Sequence, residues 1–186
     1  MLLLQLSAQP AGHVKMKIQP RPLREIPMSE TFTYRSKMPA SAEEVYRFHA
    51  EPDALERLTP PWEKAQVVAR TGSIEQPGSK VTLRVSVGPF SQNWIAEHVA
   101  CEPNKMFRDV MRSSPFRRWE HTHSFFPDTD RTSWLEDSVE YEFPLGWLGK
   151  LIGGTYTHRR LERMFAWRHK VTAEQLAARA AKEHSA

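Results

Sequence analysis

Successive segments of alternating apolar and polar residues run from residue 65 to residue 143, and a long helical pattern follows them. The clearest is 80–87, in which Val81, Leu83 and Val85 share one face. Alternation of this kind is typical of strands with one buried face, and Gly and Pro pairs between segments indicate turns. Together with an earlier segment, the predicted strands cover residues 31–37, 65–70, 80–87, 92–101, 105–112, 115–126 and 132–143.

The rest of the pattern is helical. Residues 41–44, Ser-Ala-Glu-Glu, have the spacing of a capping box, and Asp53 stands where a second short helix would begin before Pro60-Pro61. A long helix should follow residue 144 and reach about Ala180. Apolar spacings of three and four predict its buried stripe, Leu161, Met164, Phe165, Arg168 and Val171.

The segment 115–126 places histidines where apolar residues belong. One face of this predicted strand carries Trp119, His121, His123 and Phe125, and the other carries mostly polar side chains. A buried imidazole needs a hydrogen-bond partner or a ligand. The partner must therefore come from a neighbouring element.

Two aspartates lie on the inward faces of the adjacent predicted strands, Asp109 before the histidines and Asp137 after them. If consecutive strands pair antiparallel, Asp137 can reach one of the histidines. Proximity should then raise the pKa of the histidine and lower the pKa of Asp137.

Composition limits the function classes. A chain of 186 residues favours one domain, and we expect residues 1–28 to be a disordered extension, with Met1 or Met28 as the start, and residues 29–182 to form the domain. The net charge of +4 lies in residues 1–37, so the remainder sums to zero and a nucleic-acid surface is disfavoured. A single cysteine and the lack of long apolar runs favour a cytoplasmic protein.

Several short strings of the sequence resemble those of one known superfamily. The strings at 39–45, 58–62, 107–109, 119–125 and 137–141, with Trp94 and His98, resemble the START/Bet v 1-like superfamily, specifically its bacterial branch related to polyketide cyclases and coenzyme Q-binding proteins. The resemblance covers about residues 30–170. It implies an α+β helix-grip fold, in which a curved antiparallel sheet of about seven strands wraps a long C-terminal helix and two short helices follow the first strand.

The resemblance implies a cavity between sheet and helix, and we favour a non-catalytic protein that binds a small hydrophobic ligand such as a lipid, quinone or polyketide, without a cofactor. The inward histidines and aspartates would anchor the polar end of the ligand. The predicted ligand-binding residues are Trp94, His98, Asp109, Trp119, His121, His123, Phe125, Asp137, Tyr141 and Phe165.

Other interpretations stay open. A cofactor-independent cyclase or dehydratase would use His121 or His123 as base, oriented by Asp137, with Tyr141 or Asp109 as acid. A polar network in a filled core would suit an interaction module. The histidine pair could also contribute to a metal site with Asp137 or His98, although no metal is the favoured expectation.

An apolar cluster opens the long helix. Ordinary packing at the helix end is the favoured interpretation of these residues, and the alternative is an exposed lip that contacts a membrane surface transiently. The cluster consists of Trp147, Leu148, Leu151 and Ile152.

Overall fold

The protein is a seven-stranded antiparallel sheet with helices packed on one face. The computed structural model describes residues 29–87, 89–183 and 185, so the predicted extension at residues 1–28 and its start methionine lie outside the described residues. The elements are β1 Ser29–Met38, α1 Ala42–Ala50, α2 Ala54–Arg57, β2 Ala65–Arg70, β3 Lys80–Val87, β4 Phe90–Glu102, β5 Met106–Ser113, β6 Arg118–Thr129, β7 Thr132–Glu142 and α3 Trp147–Glu183.

The sheet follows the chain with one exception. Its order is β1-β7-β6-β5-β4-β3-β2, so every strand from β2 to β7 pairs with its sequence neighbour and β1 closes beside β7. The two short helices carry the chain from one edge of the sheet to the other. The predicted helix-grip fold is confirmed by this order and by the long C-terminal helix.

The first helix begins as its sequence predicts. Ser41 Oγ accepts a hydrogen bond from the backbone N–H of Glu44 at 3.3 Å, and the Glu44 carboxylate accepts one from the backbone N–H of Ser41 at 2.8 Å. This reciprocal arrangement is a capping box. Asp53 does precede α2, but its side chain makes no capping hydrogen bond.

The buried face of α3 differs from the predicted stripe by one position. Arg168 and Val171 are only half-buried, whereas His169 and Thr172 are the residues that face the sheet. The prediction was wrong there because spacings of three and four residues fit two adjacent faces of the helix equally well, and the observed face is the one that contains His169 and Thr172. The buried residues of α3 are Leu161, Phe165, His169, Thr172 and Leu176.

Two apolar clusters leave a polar region between them. Along β6, Phe125 belongs to one cluster and Trp119 packs against the other. Along β7, Leu135 belongs to the same cluster as Phe125, and Val139 belongs to the other cluster. The histidines of β6 and Asp137 of β7 therefore stand between two cores, against the middle of α3.

Candidate functional site

Asp137 is the centre of the site. It is 2 % exposed, and its Oδ1 accepts a hydrogen bond from Nε2 of His121 at 2.8 Å. The strand register sets His123 directly opposite Asp137, and Nδ1 of His123 lies 2.6 Å from the same oxygen without the alignment of a hydrogen bond. The predicted contact between Asp137 and a histidine of the neighbouring strand is confirmed.

The third histidine comes from the helix and was not predicted. His169 donates from Nε2 to Asp137 Oδ2 at 2.6 Å, and its Nδ1 lies 2.6 Å from Ser36 Oγ on β1. In the neutral tautomer that donates from Nε2, Nδ1 accepts from the serine hydroxyl. The network thus joins β1, α3, β7 and β6. The sequence does contain a signal for His169, because it lies at helical spacing from the apolar residues Leu161, Phe165 and Leu176.

Burial acts in opposite directions on the pKa values of Asp137 and His123. Burial alone would raise the pKa of Asp137, but attraction to His123 and the hydrogen bonds from His121 and His169 hold it well below its ordinary value. Burial, with repulsion from His121, lowers the pKa of His123 to about 3, and the attraction of Asp137 is too small to reverse this. The expected decrease in the pKa of Asp137 is confirmed, but the expected increase in the pKa of the neighbouring histidine is wrong for His123, because burial outweighs the effect of Asp137.

Asp109 occupies the other side of His121. It pairs with His121 across β5 and β6, and its Oδ2 lies 3.7 Å from His121 Nδ1. Burial raises the pKa of Asp109, while His121 and His98 act in the opposite direction. Since Nε2 of His121 donates to Asp137, Nδ1 of a neutral ring carries a lone pair toward Asp109. A protonated Asp109 would complement that lone pair.

These groups line a small inner chamber of about 140 Å³. Burial lowers the pKa of His98 and lowers that of His49 to about 4, so both rings are neutral near pH 7. Phe107 stacks on His123 with ring centroids 4.1 Å apart. The chamber's polar lining consists of His49, Glu51, Arg70, His98, Asp109, His121, His123, Asp137 and Arg168.

A larger and more apolar outer chamber of about 400 Å³ adjoins it. Trp94, Trp119 and Phe165 contribute aromatic walls, and Tyr156 marks the exposed end. The residues common to both chambers, which form their boundary, are Leu55, Leu83, Met111, His121 and Arg168.

The structure brings most of the predicted ligand-binding residues to these chambers. Phe125 and Tyr141 are exceptions: Phe125 packs in the core against Tyr46 and His49, and Tyr141 packs against Phe116 and faces a shallow surface groove rather than the chambers. The predicted residues that line a chamber are Trp94, His98, Asp109, Trp119, His121, His123, Asp137 and Phe165.

Several polar atoms of the chamber walls have no protein partner. They are buried, and buried polar groups in proteins are otherwise nearly always hydrogen-bonded. Such atoms are available to a ligand or to water. They include Trp94 Nε1, His98 Nδ1 and Arg168 Nε.

One trio has the residue types of a metal site. Asp109, His121 and His123 each offer a ligand atom, and these atoms lie within 4.8 Å of one another. Carboxylate and imidazole ligands suit zinc or iron. Arg168, however, lines the same inner chamber, and its positive charge opposes a cation there.

The apolar cluster at the start of α3 is exposed. Trp147, Leu151 and Ile152 are 69 %, 75 % and 76 % exposed, and Leu148 is also exposed, so the favoured interpretation of packing at the helix end was wrong. The chain enters α3 through Leu145 and Gly146, which have positive φ angles of 65° and 57°. This turn projects the cluster outward.

No helix in the described part of the chain is long and apolar enough to cross a membrane.

Solved structures with the same fold include enzymes and a START protein. Norcoclaurine synthase from Thalictrum flavum is 12 % identical with a TM-score of 0.62, over 93 % of this chain and 99 % of that one. The aromatase/cyclase Zhui from Streptomyces sp. R1128 is 12 % identical with a TM-score of 0.61, over 82 % and 96 %. A START superfamily protein from Mycobacterium smegmatis is 21 % identical with a TM-score of 0.53, over 78 % and 98 %.

No curated protein matches the sequence. The family described as polyketide cyclase / dehydrase and lipid transport matches residues 38–165, which include the last residue of β1, both short helices, strands β2–β7 and the first half of α3. That range contains Asp109, His121, His123 and Asp137, whereas Arg168 and His169 lie just beyond it. The fold, the strand order and this match agree, and the chain belongs to the polyketide cyclase / dehydrase and lipid transport family.

Proposed function

We propose that this protein binds a small hydrophobic molecule, such as a lipid, quinone or polyketide, in the joined chambers between the sheet and α3. The observation that carries the proposal is the division of the cavity into an apolar outer part of about 400 Å³ and a polar inner part of about 140 Å³. Ligand sites are usually concavities of about 300–1,000 Å³ with apolar walls and a few polar groups. A ligand with one polar end fits this division.

The polar network supports an oriented mode of binding. His121 lies on the boundary of the two chambers, and His98 and Trp94 offer buried nitrogen atoms without protein partners. A ligand that enters with its polar end first would satisfy them. The same space argues against an interaction module with a filled core, because a core of that kind has no room of this size.

A cyclase or dehydratase is the second candidate, and one contact favours it. His121 Nδ1 lies 3.7 Å from Asp109 Oδ2 while Nε2 is held by Asp137. An imidazole beside a carboxyl group whose pKa is raised by burial supplies a base and an acid in one water-poor chamber. Loss of turnover in His121→Ala, with ligand binding retained, would distinguish this activity from binding alone.

The exposed cluster on α3 supports loading from a membrane surface. Tyr156 lines the outer chamber and follows Ile152 by one helical turn. Arg159 and Arg163 are exposed on the same part of the helix. Apolar side chains beside cationic ones suit contact with anionic lipid.

The proposal is tested by titrating the protein with Nile red, a neutral hydrophobic dye. We expect saturable binding of one dye per chain, with quenching of tryptophan fluorescence because Trp94 and Trp119 line the outer chamber. Displacement by long-chain alcohols should restore that fluorescence. Non-saturable dye uptake, or binding without any effect on tryptophan fluorescence, would overturn the proposal.

A further inference from the structure

Arg168 is the one cavity-lining residue at the boundary that carries a full positive charge at neutral pH. It lines both chambers, and its Nε is buried without a hydrogen-bond partner. Among the described residues, no carboxylate oxygen lies within salt-bridge distance of its guanidinium. Arg168 is half-buried as a whole, but its Nε–H is shielded from water without an acceptor, which is unfavourable unless a bound group accepts its hydrogen bond.

The nearby carboxylates are already engaged. Asp137 accepts hydrogen bonds from His121 and His169. Glu63 accepts two hydrogen bonds from Arg160, one of them at 3.2 Å. The Asp109 carboxyl group faces His121, and burial raises its pKa. These three influence Arg168 from a distance, but none of them pairs with it.

The position of Arg168 is suited to an end group of a ligand. The guanidinium carbon lies 5.6 Å from the centre of the Phe165 ring, whose side chain forms a wall of the outer chamber. The contact with the aromatic ring orients the guanidinium weakly and leaves its N–H donors free to bind a ligand group. That ligand group would lie at the boundary between the apolar outer chamber and the polar inner chamber.

We propose that Arg168 binds the carboxylate of the hydrophobic ligand, so that the natural ligand is an amphipathic acid with its apolar body in the outer chamber. This inference rests on the proposed binding function. Guanidinium and carboxylate match in a bidentate pair, which lysine cannot reproduce. Burial lowers the pKa of His98 and His123, so these two imidazoles of the inner chamber do not compete for the anion.

The test compares dodecanoate with 1-dodecanol, two ligands of equal chain length, by displacement of Nile red at pH 8. Wild-type protein should bind the acid more tightly than the alcohol. Arg168→Met should weaken dodecanoate binding by about ten-fold or more and change dodecanol binding far less, because only the acid loses a charge-assisted contact. Arg168→Lys should recover only part of the preference. Lys170→Met, at an exposed position of α3 that lines neither chamber, is the control and should behave as wild type.

Two outcomes would overturn the role of Arg168 without affecting the proposed binding function. One is equal affinity of the wild type for acid and alcohol, which needs no variant. The other is an acid preference that survives in Arg168→Met. If Nile red itself fails to bind saturably to the wild type, the proposed function fails and the inference falls with it. A stable Arg168→Met variant is expected, since a methionine removes an unpaired charge at similar length.

Discussion

His169 Nε2 of α3 lies 2.6 Å from Asp137 Oδ2 of β7, in a contact in which both side chains are almost fully buried. This hydrogen bond ties the C-terminal helix to the middle of the sheet at the floor of the cavity. The same carboxylate accepts from His121 through its other oxygen. One aspartate therefore fixes both the position of the helix and the orientation of a cavity-lining imidazole.

Removing this link should destabilise the protein strongly. We expect His169→Ala to lower the free energy of unfolding by about 3 kcal/mol, because it leaves a buried carboxylate with one donor fewer. Urea unfolding followed by circular dichroism measures the change. Glu140→Ala, on the exposed face of β7, is the control and should change the value by no more than about 0.5 kcal/mol. Equal effects of the two substitutions would contradict a structural role for the link.

Stability should fall as the pH drops below about 6. His49 and His123 have folded pKa values of about 4 and about 3, whereas unfolded histidine titrates near 6.5. Between these values the unfolded chain binds more protons, and each group contributes up to about 1.4 kcal/mol per pH unit. The lowered pKa of Asp137 adds stability that is present above its unfolded pKa and is lost as the pH falls through its folded pKa.

The measurement is the free energy of unfolding in urea at pH 7.5 and pH 5. We expect a loss of about 2–4 kcal/mol at the lower pH in the wild type. His123→Gln should reduce that loss, whereas the same change at the exposed His158 should leave it unaltered. A wild-type protein equally stable at both pH values would show that these imidazoles are not buried in the neutral form.

Filling the boundary between the chambers should abolish ligand binding without unfolding the protein. Leu83 is half-buried and lines both chambers, so Leu83→Trp places an indole ring in the passage between them. We expect circular dichroism to be unchanged and Nile red binding to fall by more than about ten-fold, since the ligand then lacks space. The matched control is Leu148→Trp at an exposed position of α3, where dye binding should persist. Undiminished binding in Leu83→Trp would place the dye elsewhere.

The exposed cluster should control contact with membranes. We expect the combined substitution of Trp147, Leu151 and Ile152 by serine to reduce cosedimentation with vesicles of phosphatidylcholine and phosphatidylglycerol. Vesicles of phosphatidylcholine alone should bind the wild type more weakly, because Arg159 and Arg163 would lack anionic partners. Nile red binding in solution should be unaffected by the substitutions. Cosedimentation that is equal in wild type and variant would exclude this cluster as the contact.

The sheet and the core of the site could be predicted because strand periodicity carries their geometry. A period of two places His121 and His123 on one face, and antiparallel pairing of sequence neighbours then brings Asp137 opposite His123. The prediction needed no knowledge of distant contacts. The first predicted strand, residues 31–37, lies within the observed Ser29–Met38 for the same reason.

The contribution of the helix could not be predicted in the same way. Two adjacent helical faces were compatible with the spacing of apolar residues, and the choice between Arg168 and His169 as the inward residue depends on how α3 rotates against the sheet. The depressed pKa of His123 was missed because it depends on the degree of burial, which a sequence pattern does not express. The chambers depend on the distance between α3 and the sheet, which the sequence alone does not supply.

Native mass spectrometry of the protein purified from its own host tests the central claim most directly. We expect the wild-type chain to carry one noncovalently bound small molecule, and Leu83→Trp, purified in parallel, to appear at its bare mass. A wild-type spectrum with only the bare chain, or the same adduct on both proteins, would contradict ligand binding in the joined chambers.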